Sequence, residues 1–456
     1  MKRNTTWVLG SVLVLAVVAS ACDTTSPAQQ STSPARSEST PADNATPDPP
    51  ETDKPKTTAR VDLEKPTFSD PTALTNPLFA MNDVNQMIQL GAEGPDGLRF
   101  EVTLLPRTKT IEWEGQQVET RVHQFVAYSN GRILEVAVDF YAQADDGSVW
   151  YFGEDVDNYK AGVVADHEGT WLAGRDGPPG MIMPADPRIR NVYRPENIPG
   201  LVFEEVTVKS IDETVGGPKG PVSGAVFIQE RLQDGTLENK IFAPGYGEFQ
   251  AEVKTEDEFY GVAVAVPTDA LQRALPQELS TLATGADRIF GTAERAAGTS
   301  VTKTYDAMTA AWDSYRTTDV PSRLEAQMTD ALDTLREAVD RGAKSEVAQA
   351  ALDAHRATLD IQLRYLPPAD IDVRRMDIWA QQLRLDAGAR RPSAVVGDVA
   401  VLETIWYRVR HAADPNTARD ISRILAELRT AANAADRSKA AHVATDLQQN
   451  LTRLGC

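Results

Sequence analysis

The spacing of apolar residues changes once along this chain, and that change constrains the fold more than any other feature. Before about Pro267, apolar and polar residues alternate in short runs, which is the period of a β-strand with one buried face. After Pro267, apolar residues recur every three or four positions, as on one face of a helix. The sequence therefore predicts an α+β protein, in which an antiparallel β-rich domain (76–266) precedes an all-α helical bundle (267–456).

The run 132–143, RILEVAVDFYAQ, shows the strand period most clearly. Several other short runs before Pro267 have the same character and are separated by Gly, Pro, Asp and Asn. Short strands with turn residues at this spacing are typical of a sandwich, a barrel or a half-barrel, and the pattern leaves these three open.

The stretch 146–155, DGSVWYFGED, predicts the next strand. Asp146-Gly147 is a preferred pair for a tight hairpin turn. In a strand Trp150 and Phe152 share one face, which we assign to the core, and Tyr151 lies on the opposite face, where a ligand could reach it. The candidate ligand-binding residues on that accessible face are Tyr141, Tyr151, Glu154 and Asp155.

Six apolar stripes after Pro267 predict helices, and the short loops between them predict antiparallel neighbours with a core of their own. Pro367-Pro368 ends the third helix, and Asp414-Pro415 precedes a long final one. The stripes span residues 301–315, 324–339, 345–366, 373–387, 395–409 and 421–451.

The first residues predict export. A positive start is followed by an apolar run over 7–21, too short to cross a bilayer comfortably. The run ends in Ala-Ser-Ala-Cys at 19–22, which resembles the lipobox of bacterial lipoproteins. This resemblance implies a signal peptide over 1–21 and a mature chain that begins at Cys22, whose thiol carries diacylglycerol and whose acyl chains, such as palmitate, anchor it. The alternative is an ordinary secretory signal with a chance cysteine.

A tether is predicted over residues 22–75. Between Asp23 and Arg60 the chain has seven prolines and thirteen serines or threonines, and it lacks aromatic residues, Leu, Ile and Val. Such a segment cannot bury enough apolar surface to offset the entropy of ordering it. We therefore expect it to hold the folded part away from the outer face of the cell membrane.

The net charge and the cysteine content limit the classes of partner that we expect the protein to bind. The net charge of −20 argues against nucleic acid and against electrostatic binding to anionic lipids. The two cysteines are Cys22 and Cys456, so lipidation of Cys22 would leave no pair for a disulfide within the chain. The expected partners are the membrane, through the lipid, and an unknown small ligand or envelope protein.

The sequence contains none of the strong catalytic signatures that we tested. Its five histidines are scattered, no Glu-x-x-His occurs, and neither a nucleophile elbow nor a phosphate-binding loop is present. Six acids within the predicted hairpin could hold calcium or act as an acid–base pair. Their spacing matches no calcium-binding loop. We therefore expect Asp145 and Asp146 to form a turn and the other acids to be solvated, and we predict no metal or cofactor. These acids are Asp139, Asp145, Asp146, Glu154, Asp155 and Asp157.

A set of ordered motifs over most of residues 76–250 resembles a recurring domain of bacterial exported proteins and lipoproteins to which no activity is assigned. The resemblance supports the predicted location and domain limits, and it implies no mechanism. The helical half resembles no family that we recognise. The motifs are DFYAQ, VWYFGED, GTWLAGRDG, PGMIMPADP and APGYGE.

Taken together, these patterns favour a surface-exposed bacterial lipoprotein that acts as a ligand- or partner-binding accessory module. One alternative is an envelope hydrolase that uses Glu154 or Asp155, buried with a raised pKa beside His167. Another is a purely structural envelope protein in which the bundle docks a partner.

Lipidation predicts a specific loss on substitution. Cys22→Ser removes the thiol that would be acylated, so incorporation of labelled fatty acid should be abolished and unprocessed precursor should accumulate in the membrane. Labelling followed by electrophoresis checks this outcome. Persistent labelling of the variant would overturn it.

Overall fold

The computed structural model describes residues 59–79, 81, 84–295 and 298–454. Cys22, the predicted signal peptide and the predicted tether up to residue 58 lie outside these residues. Within the described ranges, no helix is both long enough and apolar enough to cross a membrane.

The described part of the chain up to residue 266 is built of strands, most of them paired antiparallel. The run 132–143 that alternates most clearly in sequence forms one strand over its whole length. The strands are β1 (Ala59–Arg60), β2 (Gln86–Glu93), β3 (Asp96–Trp113), β4 (Gln116–Ser129), β5 (Arg132–Gln143), β6 (Val149–Lys160), β7 (Val163–Asp166), β8 (Trp171–Leu172), β9 (Gly180–Met183), β10 (Asn191–Tyr193), β11 (Asn197–Ile198), β12 (Val202–Gly217), β13 (Gly220–Leu232), β14 (Leu237–Ala243), β15 (Gly247–Val253) and β16 (Glu258–Val266).

These strands form one curled sheet rather than two packed sheets. Its order is β1-β10-β12-β13-β14-β15-β16-β2-β3-β4-β5-β6-β7, with β8 and β9 also paired to β6 and β11 to β12. The curl brings distant strands together, since the indole N–H of Trp171 in β8 donates to Glu196, which precedes β11, at 2.9 Å. The predicted antiparallel β-rich region is confirmed, and the curl gives it an inner and an outer face.

The described residues between 61 and 85 form a strap that leads from the sheet edge to β2. The N–H of Val61 donates to the carbonyl of Val192, and the ring of Phe68 packs against that of Phe152 with centroids 5.4 Å apart. Leu74 is also buried. The tether predicted over 22–75 is therefore wrong for residues 59–75, because Phe68 and Leu74 supply the apolar surface that residues 23–60 lack.

Helices follow the sheet, as predicted, with two differences. A helix over 277–295 was not predicted, and the expected long final helix is two helices separated at Ala435. Ala435 has a left-handed φ of +52°, and the Asp436 carboxylate accepts from the N–H of Lys439 to start the last helix. The helices are α1 (Gln277–Arg295), α2 (Gly298–Tyr315), α3 (Ser322–Arg341), α4 (Lys344–Gln362), α5 (Pro368–Gly388), α6 (Pro392–Val409), α7 (Pro415–Asn433) and α8 (Arg437–Leu451).

The helices and the sheet share their apolar cores. One cluster joins Ile88 and Val264 of the sheet with residues of α1 to α5, and another joins Val126 and Ile133 with residues of α5 to α8. The expectation that the helices have a core of their own is therefore wrong. The outer face of the sheet is also apolar, and the helices cover it.

A buried ion network crosses the boundary between sheet and helices. The guanidinium of Arg99 donates twice to Asp360, at 2.6 and 2.9 Å, and Arg408 donates to Glu101 and Asp372, each at 2.7 Å. Burial alone would raise the pKa of Glu101, but the guanidinium groups of Arg408 and Arg99 hold it well below its ordinary value. Arg375 joins the same network by donating to the two aspartates.

Removing one member of this network should be costly. Arg408→Ala leaves Glu101 and Asp372 buried without their main partner, and we expect a loss of about 3–5 kcal/mol in the free energy of unfolding. Urea unfolding of the full chain at pH 7 measures it. Arg423→Ala, which removes an exposed ion pair with Glu427 on α7, is the matched control and should change stability little. Equal effects of the two substitutions would contradict a role for the network in holding the helices on the sheet.

Candidate functional site

The structure separates the four predicted ligand-binding residues. Tyr141, Tyr151 and Glu154 lie on the inner face of the sheet and are at most 1% exposed, whereas Asp155 is exposed on the outer face. The prediction that these four share one accessible face is therefore wrong, and so is the prediction that a ligand can reach Tyr151. The reason is that both faces are covered here, the inner face by the curl of the sheet and much of the outer face by the strap and the helices. The core contains Trp150 and Phe152, as predicted.

A bulge at Gly153 determines which residues of β6 face inward. Tyr151 pairs with Tyr141, and Glu154 pairs with Asp139, so Phe152 and Gly153 on β6 are matched by a single residue on β5. Gly153 has a φ of +121°, and a Cβ at this position would collide with the backbone of β8. The extra residue brings Tyr151 and Glu154 to the same face, which strict alternation does not predict.

Buried carboxyl groups line the inner face around these tyrosines. The hydroxyl of Tyr151 donates to Asp139 at 3.2 Å, and the indole N–H of Trp171 donates to Glu196 at 2.9 Å. Burial raises the pKa of Asp139 and of Glu196 to about 8, and that of Glu154 well above its ordinary value. The inner face is therefore a closed polar core in which carboxyl groups stay protonated at neutral pH.

An ammonium group occupies the centre of the largest acidic cluster. Nζ of Lys240 lies 2.6 Å from Glu230, 3.2 Å from Glu238 and 3.7 Å from Glu248. No group of three or more His, Cys, Asp or Glu within the described ranges has the geometry of a metal site. Lys240 places one positive charge among these three acids.

Asp155 lines an open groove between the outer face of the sheet and helix α6, which we call the seam groove. It has a volume of about 720 Å³. Strands β4, β5 and β6 form one side and α6 forms the other, and His167 and Thr170 come from the loop between β7 and β8. The seam groove is lined by Gln124, Val136, Val138, Asp155, Val156, Asp157, Tyr159, His167, Thr170, Ala400, Glu403, Thr404 and Tyr407.

His167 pairs with Asp157 in the seam groove. Its Nδ1 lies 2.9 Å from a carboxylate oxygen of Asp157 and 2.9 Å from the carbonyl oxygen of Val156, so both oxygens can accept from one N–H. The hydrolase hypothesis required a buried Glu154 or Asp155 beside His167. Glu154 lies on the opposite face of β6 and Asp155 is exposed, so the required arrangement does not form.

Aromatic rings and a second ion pair complete the groove. Tyr159 and Tyr407 are half-buried, and the guanidinium of Arg107 lies 4.4 Å from the ring centre of Tyr407. Glu403 forms an ion pair with Arg429 at 2.5 Å. Sequence reasoning did not identify Glu403 or Tyr407, because nothing in the pattern of α6 indicates which strand it covers.

No known protein family matches the chain, and no curated protein matches it. The resemblance of residues 76–250 to a domain of exported proteins therefore stays a prediction. The argument for the seam groove comes from its geometry and chemistry.

The inner face predicts a specific pH dependence of stability. Glu135 is buried on β5, one of its carboxylate oxygens has no hydrogen-bond partner, and burial raises its pKa from 4.5 to about 7. The folded chain therefore binds more protons than the unfolded chain between these pH values, and stability falls as the pH rises through that window. Glu135→Gln removes this contribution, so the variant should gain about 3 kcal/mol relative to the wild type between pH 4 and pH 8.

Chemical denaturation of the full chain at a series of pH values measures this difference. Glu213→Gln, which changes an exposed glutamate of β12, is the control and should leave the pH profile as it is in the wild type. A difference between Glu135→Gln and wild type that does not vary with pH would show that Glu135 does not retain its proton in the folded chain.

Proposed function

We propose that this protein is an exported lipoprotein, anchored through Cys22 to the outer face of the cell membrane, and that it serves as a binding module for envelope saccharides. The seam groove is the binding site. The observation that carries this proposal is that carboxylates and two phenol rings on strands and a helix, and an imidazole on the adjoining β7–β8 loop, line one groove.

The charges of the seam groove favour a neutral ligand. Asp155 lies 3.4 Å from Lys109, while Asp157 pairs with His167 and Glu403 pairs with Arg429. Because each acid has a basic neighbour, a strongly charged ligand would gain little from the groove and would compete with these pairs.

Hydroxyl-rich ligands match the remaining chemistry. Carboxylates are acceptors with four lone-pair positions, so Asp155 and Asp157 can each accept from neighbouring hydroxyl groups of a sugar. The rings of Tyr159 and Tyr407 offer apolar surfaces with a polar tip, which suit the C–H faces and hydroxyl edges of a pyranose. This combination supports a saccharide rather than a purely apolar ligand.

The alternatives receive less support from the geometry. A hydrolase would need an acid–base pair at the ligand, and the acid with the raised pKa, Glu154, is enclosed on the inner face. A purely structural role does not explain why polar and aromatic side chains line the seam groove together. Ligand binding in the groove distinguishes the binding module from a structural protein.

Binding should depend on groove residues. We expect the full chain to bind one or more saccharides on an array of bacterial envelope glycans, and Asp157→Asn to weaken that binding by roughly tenfold, the value of one hydrogen bond to a charged group. Tyr407→Ala should have a similar or larger effect because it removes an aromatic face. Calorimetric titration of the saccharide found on the array gives the affinities.

Two substitutions outside the groove serve as controls. Asp186→Asn changes an exposed aspartate that is paired with Arg188, and Tyr365→Ala removes a half-buried ring that is also covered by an arginine. Both should bind like the wild type. No binding to any glycan, or equal losses in groove and control variants, would refute the proposed site.

A further inference from the structure

An apolar cleft continues the seam groove toward the start of α6. It has a volume of about 310 Å³ and lies between the β4–β5 turn, the β6–β7 turn and helices α5 and α6. A larger share of its lining is hydrocarbon than in the seam groove, although Arg132 and Asp398 also line it. Its apolar residues include Ile133, Leu134, Tyr159, Trp379, Ala394 and Val401.

The cleft and the groove share their walls. Tyr159 lines both, β5 passes from Leu134 in the cleft to Val136 in the groove, and α6 passes from Ala394 to Tyr407. At 1.5 Å per residue, that part of α6 extends about 20 Å. The cleft and the groove therefore adjoin at Tyr159, and we call the cleft the apolar end of the seam and the groove its polar end.

A close contact of two glycines fixes the shape of the apolar end. Gly162, in the β6–β7 turn, has a φ of +81°, and a Cβ there would collide with the backbone of Ser393 and Gly397 in α6. The turn thus rests directly on the helix, so the width of the cleft is set by backbone contact. A preformed cavity of this kind loses little conformational entropy when it binds a hydrocarbon chain.

We infer that the ligand of the seam groove is an amphiphile, with a neutral hydroxylated head in the groove and a single hydrocarbon chain in the cleft. This inference rests on the proposed function and adds the apolar part of the ligand. The cleft has room on the order of ten methylene-sized groups. An anionic head is disfavoured because it would compete with Asp155, Asp157 and Glu403 for their basic partners.

Exposed apolar residues flank the apolar end. Val163 and Val164, which directly follow the glycine that rests on α6, are 51% and 41% exposed on β7, the last strand of the sheet order. A hydrocarbon chain that enters the cleft past this turn would also cover these side chains. The surface beside the cleft thus matches the apolar half of the ligand.

Decyl maltoside below its critical micelle concentration is a suitable probe, since it joins a neutral sugar head to a ten-carbon chain. We expect the full chain, in detergent-free buffer, to bind it roughly a hundredfold more tightly than maltose, because each methylene removed from water adds to the affinity. Decanoate, which has a charged head, should bind more weakly than decyl maltoside. Calorimetric titration measures all three.

Ala394→Phe fills the cleft and should reduce the affinity for decyl maltoside to that for maltose. Ala418→Phe is the matched control, because Ala418 is also half-buried in the first turn of a helix that starts with proline, and it lies outside the cleft. If circular dichroism shows that Ala394→Phe is unfolded, Ala394→Leu makes the same test with a smaller side chain.

The outcomes separate the two proposals. If decyl maltoside does not bind, binds no more tightly than maltose, or binds equally to the Ala394 and Ala418 variants, the amphiphile inference is overturned, while glycan binding in the groove can still stand. If the glycan array and the Asp157 and Tyr407 variants fail, the saccharide proposal itself is refuted. Decanoate binding as tight as that of decyl maltoside would overturn the assignment of a neutral head.

Discussion

The arrangement of this protein depends on a balanced set of charges buried where the helices meet the sheet. Three arginines and three acids from β3, α4, α5 and α6 face one another there, and a charge left without its partner in such a place is strongly destabilising. Apolar packing alone would tolerate small shifts of a helix along a sheet. The bidentate pair of Arg99 and Asp360 does not, because its hydrogen bonds require one register. The network therefore fixes the register of α4, α5 and α6 against β3, and thereby holds α6 on the sheet whose strands β5 and β6 line the seam groove.

The inner face of the sheet follows a different electrostatic rule. Its carboxyl groups are buried with few basic partners, and the low polarity of the surroundings raises the pKa of Glu135, Asp139 and Glu196. The indole N–H of Trp171 on β8 donates to Glu196 across the curl of the sheet. The inner face is thus closed, and the seam groove and the cleft lie on the outer face.

Periodicity predicted most of the fold because it reports burial on one face. It identified β5 over its full length and helices α2 to α6, but it could not show that β5 and β6 are covered on both faces. It placed Tyr151 correctly on the face opposite Trp150, but it could not show that the curl of the sheet buries that face. The bulge at Gly153, which brings Glu154 to the face of Tyr151, lies against β8, a contact that no local pattern contains. Asp155 was identified in sequence, whereas its neighbour across the groove, Glu403, lies on a helix whose position depends on the ion network. Periodicity also did not predict the helix break at Ala435, because alanine normally continues a helix.

The strap connects the predicted tether to this arrangement. Its first described residues pair with β10, and its end is tied to the sheet by a hydrogen bond from the N–H of Asn85 to the carbonyl of Val266. The strap is held by the sheet along its length, since Phe68 also packs against Phe152 of β6, and the predicted tether would join the folded part at Ala59, at a sheet edge. On the proposed function, the tether would hold this module at a distance from the membrane.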